Sequence, residues 1–321
     1  MRFKRNLVEA GLIGASILCS SIACGQIPSN KPLRIVTGGT GGATDFAARL
    51  IGQGVTANTG QSVIVDNRAS GVVVSETVAK SPPDGYTLLL YGSPMWLLPS
   101  MRERVSWDPM RDFSPITLAV SSPNVLVVHP SLPVKSVKDL IVLARARPGE
   151  LNYASGGSGA TPHLAAEFFK ALAKVQVVRV NYRGAGPAMN DVIAGQVQIM
   201  FANAAAAMPQ VKAGRLRALG VTSARPSSLF PGLATVAETG LPGYKVETIY
   251  GVFAPTKTPE ATTDRLHQDI VRVLTTPETR EKFLNVGVEV VASTQAQLAS
   301  AVASEMAILG KVIKDGGIRD E

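Results

Sequence analysis

The stretch Val36-Thr37-Gly38-Gly39-Thr40-Gly41-Gly42-Ala43-Thr44-Asp45 ends an apolar run (Leu33, Ile35, Val36) and enters a helix-like one (Phe46, Leu50, Ile51, Val55). A glycine-rich turn between a strand and a helix leaves backbone N–H groups bare, and those donors together with the helix dipole favour an anion. Thr37, Gly38, Gly39, Thr40 and Thr44 are therefore candidate anion-binding residues. A nucleotide phosphate fits the spacing poorly. After Gly39-Thr40-Gly41 the third Rossmann glycine falls on Thr44, and no Gly-Lys-Ser/Thr closes a Walker loop. A smaller anion and a plain structural turn both stay open at this point.

The arrangement occurs twice. Leu151 to Ser155 reads as a strand, Gly156-Gly157-Ser158-Gly159-Ala160 as its turn, and Thr161-Pro162 as the N-cap and first residue of a helix. Two strand-to-helix anion turns in different halves of one chain suggest two lobes facing across a cleft. The second turn also imitates a nucleophile elbow at Ser158, the remote reading being a secreted serine esterase. Its acid and histidine could come only from Asp264 and His267, which share one amphipathic helix and suit a surface role better. His129, His163 and His267 lack mutual ligand spacing, so neither metal nor cofactor is expected, and His163 suits a structural contact to a helix end.

Strand-like and helix-like segments alternate along the chain, which predicts an α/β fold with a largely parallel sheet. The strand candidates are Leu33 to Val36, Val63 to Asp66, Tyr86 to Tyr91, Val125 to His129, Leu151 to Ser155, Val175 to Tyr182, Val197 to Phe201, Leu216 to Thr222, Thr248 to Ala254 and Val288 to Val291. Helices are predicted from Ser136 to Ala146, Pro162 to Ala173, Pro259 to Leu274 and Gln295 to Lys314. Residues 1–23 read as a secretory signal: Arg2, Lys4 and Arg5, an apolar run from Ala10 to Leu18, and a small-residue site ahead of Cys24. Cys24 is a candidate lipidation site. Both cysteines, Cys19 and Cys24, lie in or beside this leader, so the exported part has no disulfide and must rest on a hydrophobic core. The net charge of +8 falls to +6 without the leader. With aromatics at 5% and no basic-aromatic cluster, nucleic acid is not the expected partner, and a small anion steered to a cleft is.

Several blocks carry a resemblance. "KSPPDGYTLLL" (Lys80 to Leu90), "WDPMRDFSPI" (Trp107 to Ile116), "LVVHPSLPVKSVKDLI" (Leu126 to Ile141), "RPGELNYASGGSGATPHLAAEFF" (Arg147 to Phe169) and "VNYRGAGPAMNDVIAGQVQIMF" (Val180 to Phe201) resemble the tripartite tricarboxylate transporter receptors, also called Bug receptors. The resemblance implies a two-lobed periplasmic binding protein of the Venus flytrap type II with two chain crossings. Lobe one would be residues 31–123 plus 248–321, and lobe two residues 124–247. It further implies a monomer that holds a small carboxylate between the lobes and works with the membrane permease subunits of a tripartite tricarboxylate transporter, or presents its bound form to a sensor receptor. Asp45 would cap its helix, and Ser93 would add a hydroxyl from lobe one. Ser155, Ser158, Gly159, Ala160, Thr161, Tyr182, Arg183, Gly184, Ala185 and Asn203 would come from lobe two. The chain departs from the family pattern in the pocket: an aspartate frequent after the Phe201 position is Ala202 here, so carboxylates lacking an amine are the expected ligands.

Overall fold

The computed structural model describes residues 31–319 apart from 42, 69, 70 and 158; the expected leader, Cys24 and Ser158 lie outside them. Two groups of parallel strands form the framework. In the first, β1 (Leu33–Thr37) lies between β2 (Val63–Asn67) and β3 (Thr87–Gly92), with α1 (Ala43–Thr59) and α2 (Gly71–Ala79) as crossovers. In the second, β5 (Asn152–Ser155) lies between β6 (Val178–Asn181) and β7 (Ile199–Asn203), with α5 (Thr161–Ala173) and α6 (Ala185–Ile193) between them in sequence.

The long strands β4 (Phe113–Val128) and β9 (Glu247–Pro255) join the groups. The strand order runs β2-β1-β3-β9-β4-β7-β5-β6, and β8 (Arg217–Val221) and β10 (Glu289–Val290) also pair with β4. Directions follow from the pairings. β3 is antiparallel to β9 and β9 to β4, so β3 runs with β4, whereas β7 runs against it. Gly92 at the end of β3 is level with Tyr250 and through it with Val120, and Asn203 at the end of β7 is level with Asn124. The carboxyl ends of the two parallel groups thus point at the same short stretch of β4 from opposite sides. Ligands of open α/β sheets bind outside such strand ends.

The expected strand from Val125 to His129 is only the last part of β4, which begins at Phe113. Pro115 and Pro123 interrupt the strand signal of the earlier part, because proline gives a ladder no N–H. A register shift between Pro115 and Thr117 absorbs the first of them. Thr161 is likewise corrected: it is the first residue of α5, its N-cap is Ala160, and no side chain caps that helix. The sheet is mixed, since every strand pairing made by β4 and β9 is antiparallel.

The remaining helices are α3 (Pro94–Met101), α4 (Val137–Ala146), α7 (Ala204–Lys212), α8 (Glu260–Leu274), α9 (Pro277–Asn285) and α10 (Gln295–Asp315). α8 buries Leu266, Ile270 and Val273, spaced four and three residues apart, beside Ile51 of α1 and Leu88 of β3. Each such side chain stabilises by about 1.5–3 kcal/mol. Val125, Met200, Val192 and Ala207 make a second cluster between β4, β7, α6 and α7. The largest cluster is shared by both groups: Leu89, Trp96 and Phe253 belong to it together with Phe169, Phe201 and Tyr244. α10 closes it by packing on α3, α5 and β4.

Gly287, between α9 and β10, is a close approach of the two groups. Its φ is 73°, its carbonyl accepts from Ser122 Oγ at 2.9 Å, and a Cβ there would stand 2.9 Å from Cα and 3.0 Å from N of Ala205 on α7. The left-handed backbone alone costs an alanine roughly 1–2 kcal/mol. Gly287→Ala is therefore expected to lower Tm by at least several degrees in thermal unfolding, and a Tm equal to wild type would contradict this packing.

Candidate functional site

The first glycine turn is held from beneath. Gly41 N–H donates to Asp45 Oδ2 at 2.9 Å, and Asn67 Nδ2 donates to Asp45 Oδ1 at 2.9 Å and to the Gly38 carbonyl at 2.8 Å. Burial works to raise the Asp45 pKa, but bonds from Arg49, Gly41 and Asn67 outweigh it and leave the carboxyl below its ordinary value. Thr37 is buried, and its hydroxyl donates to the Leu90 carbonyl at 2.9 Å. Gly39 and Thr40 are exposed and Thr44 is half-buried, so these residues present the turn to solvent.

The second turn rests on a cation. Arg179 of β6 donates from Nε to Ser155 Oγ at 2.7 Å, and from Nη2 to the Gly156 carbonyl and to Asn181 Oδ1, both at 2.9 Å. The turn into α6 adjoins it, since a Cβ at Gly156 would lie 3.5 Å from the Gly184 carbonyl carbon and 3.6 Å from Ala185 N. Gly159, at φ 74°, donates its N–H to His163 Nδ1 at 3.1 Å. The expectation that His163 contacts a helix end is met by this bond.

Helix N-termini divide into two kinds. α4, α9 and α10 carry side-chain caps from Ser136, Thr276 and Thr294, the last a full capping box. α5, α6 and α7, which begin beyond the carboxyl ends of β5, β6 and β7, have Ala160, Gly184 and Asn203 at the N-cap and no side-chain cap bond. α3, beyond β3, has Ser93 there and none either. α8 at Pro259 is uncapped as well, but it follows the opposite end of β9. The ends of β3, β5, β6 and β7 thus lead into helices with no side-chain cap bond among the described residues, an arrangement suited to an anion.

Other expected residues are engaged inside the protein. Ser93 Oγ donates to Glu305 Oε2 at 3.1 Å beside Trp96 Nε1 at 2.8 Å. Tyr182 donates to Asp191 Oδ2 at 2.6 Å. Arg183 is exposed and forms no ion pair among the described residues; Asn203 is exposed opposite Asn124, whose buried amide lacks a hydrogen-bond partner there. His267 of α8 bonds to the Ile116 carbonyl at 2.9 Å, far along β4 from the second turn. Arg179, Asn124 and Glu305 escaped the sequence reading. A charge inside the run Val177 to Tyr182 marked Arg179; Glu305, amid small and apolar helix residues, carried no signal.

Residues 47–318 match the model of the tripartite tricarboxylate transporter family receptor. The chain belongs to that family. It is 36% identical over 306 residues to a UPF0065 protein of the tcbD-tcbE intergenic region of Pseudomonas sp. strain P51, covering 94% of this chain and 91% of the relative. Protein BugT of Bordetella pertussis is 31% identical, with 99% of both chains covered. An R. palustris structure with adipate is 34% identical at a TM-score of 0.73, covering 92% of this chain and 99% of that one. The family consists of periplasmic solute-binding receptors, and the two-lobed fold of this receptor accords with it.

A buried imidazole and a half-buried carboxyl give the receptor opposed pH responses. Burial, followed by Arg179, lowers His163 to about 4 from 6.5, against Glu167 and with Lys170. Between those values the unfolded chain binds the extra proton, so stability rises with pH from about 4 to 6.5 and then levels. Burial, then Glu247, raises Glu305 to about 7 from 4.5, against the bonds from Trp96 and Ser93 and the charge of Lys245. Its contribution is complete below about 4.5 and is lost as pH rises through 7. Measured as Tm differences from wild type, His163→Gln should gain as pH falls from 7 to 4.5, and Glu305→Gln should gain from pH 5 to 8. Differences that do not vary with pH would contradict both assignments.

Proposed function

We propose that this chain is an extracytoplasmic receptor that captures a small organic carboxylate between its lobes and delivers it to a tripartite tricarboxylate-type permease. The observation that carries the reading is the opposition of two sets of parallel-strand ends, one bearing the turn Gly38–Gly41 and the other three uncapped helix N-termini. The adipate of the R. palustris structure supports a carboxylate ligand. The division into lobes 31–123 plus 248–321 and 124–247 is part of the proposal. It is supported by the change of partner along β4, from Glu247 at Pro123 to Asn203 at Asn124.

The ligand contacts proposed are Gly39, Thr40 and Thr44 from lobe one, and Gly184, Ala185, Arg183 and Asn203 from lobe two; Gly159 and Ala160 shape the second turn instead, because their N–H groups donate to His163 Nδ1 and to the Gly157 carbonyl. Thr37, Ser93 and Ser155 serve as braces for those turns, because their hydroxyls are bonded within the protein. Three or four bonds to a charged acceptor, at about 1.5–3 kcal/mol each, suffice for the roughly 8 kcal/mol of micromolar binding after association costs. Ala202 offers no counter-charge to an amine, and a buried ammonium without a partner costs several kcal/mol.

Titration calorimetry of the mature protein tests this. Adipate and succinate are expected to bind, aspartate more weakly than succinate, and Arg183→Ala to weaken adipate about tenfold or more. Absence of binding by every dicarboxylate tried would overturn the carboxylate reading, and tighter binding of aspartate the Ala202 argument.

A further inference from the structure

Tyr91 is the next-to-last residue of β3, and its side chain is half-buried. Two glycines from separate segments leave room for its ring. A Cβ at Gly38 in the first turn would lie 3.1 Å from Tyr91 Cε2, and a Cβ at Gly71, the first residue of α2, would lie 2.8 Å from Tyr91 Oη. The phenol therefore spans the gap between the anion turn and the start of α2, on the side where the strands of lobe one end. Its hydroxyl makes no hydrogen bond among the described residues, and it is not one of the fully buried polar atoms left without a partner, so it is not shut off from solvent. Burial raises its pKa, so the proton stays on the oxygen at neutral pH.

Three other hydroxyls near this rim are spent, whereas those of Thr40 and Thr44 in the turn itself make no hydrogen bond among the described residues. Thr37 bonds Leu90, Ser93 bonds Glu305, and Tyr182 across the cleft bonds Asp191. We infer that Tyr91 is a ligand-contacting residue of lobe one, its hydroxyl donating to a carboxylate oxygen of the bound acid that the first turn also holds. The inference rests on the carboxylate-receptor reading and adds to the turn's Thr40 and Thr44 a side-chain donor from β3. It also accounts for glycine at 38 and 71, positions whose φ is not in the left-handed region, so that space rather than backbone conformation calls for glycine there.

Calorimetry with adipate and succinate tests it on wild type, Tyr91→Phe, Gly71→Ala and the double variant. Tyr91→Phe should weaken binding about tenfold or more while leaving Tm unchanged, because the hydroxyl bonds nothing in the free protein. Gly71→Ala should weaken wild type by displacing the hydroxyl, yet change little in the Tyr91→Phe background, where the nearest remaining ring atoms are 3.4 and 3.5 Å from the new methyl. Binding by Tyr91→Phe within twofold of wild type would overturn the inference alone. Failure of wild type to bind these acids or any other dicarboxylate tried would overturn the carboxylate reading and this inference with it.

Discussion

The change of partner along β4 is the constraint on which the site depends. Up to Pro123 the strand is laddered to β9, and from Asn124 it is laddered to β7, so one continuous backbone sets the direction of both parallel groups. Had β7 run with β4, its carboxyl end would have pointed away from β3. Because it runs against β4, Gly92 and Asn203 end within a few residues of each other along the strand. Every strand-to-helix turn that follows inherits this opposition. The proposed anion recognition then needs few charged side chains, since helix N-termini at opposed strand ends supply backbone donors.

Polar side chains near the turns act mostly behind them. Asp45 and Asn67 hold the Gly38 and Gly41 backbone, Arg179 holds Ser155 and the Gly156 carbonyl, and Glu305 holds Ser93 and Trp96. Arg179 does two things at once. It fixes the geometry of the second turn, and as a cation set beneath the donors it adds to the field an anion would feel. The same field helps keep His163 neutral, and a neutral His163 with its Nδ1 free to accept can bond Gly159. Positive charge, a neutral imidazole and a left-handed glycine thus support one another in a single turn.

How much of this was legible in the sequence depended on locality. The two glycine turns, the helix start at Ser136 and the strands with clean apolar runs were readable because their causes lie within a few residues. The first part of β4 was not, since Pro115 and Pro123 conflict with strand propensity and only pairing with β9 overrides it. Side-chain roles were the least legible. A hydroxyl at a strand end looks the same in sequence whether it faces a ligand, like the proposed Thr40, or bonds inward, like Ser93 to a residue 212 positions away. Tyr91 was hidden for the same reason, because the space it occupies is created by Gly38 and Gly71 from two other segments.

The shared core limits how the lobes can move. Leu89, Trp96 and Phe253 from one group lie in the same apolar cluster as Phe169, Phe201 and Tyr244 from the other, and α10 packs on both α3 and α5. Gly287 against Ala205, and Gly159 against Met101, bring backbone of one group close to atoms of the other. Prising these contacts apart would expose apolar surface at about 25 cal/mol per Å². A ligand shifts such an equilibrium only by its differential affinity for the two arrangements. Closure that merely tilts the lobes about β4 and β9 leaves the cluster intact and asks little of that affinity. Motion that separates α10 from α5 would open part of that cluster, so the shared core favours a small rotation about β4 and β9.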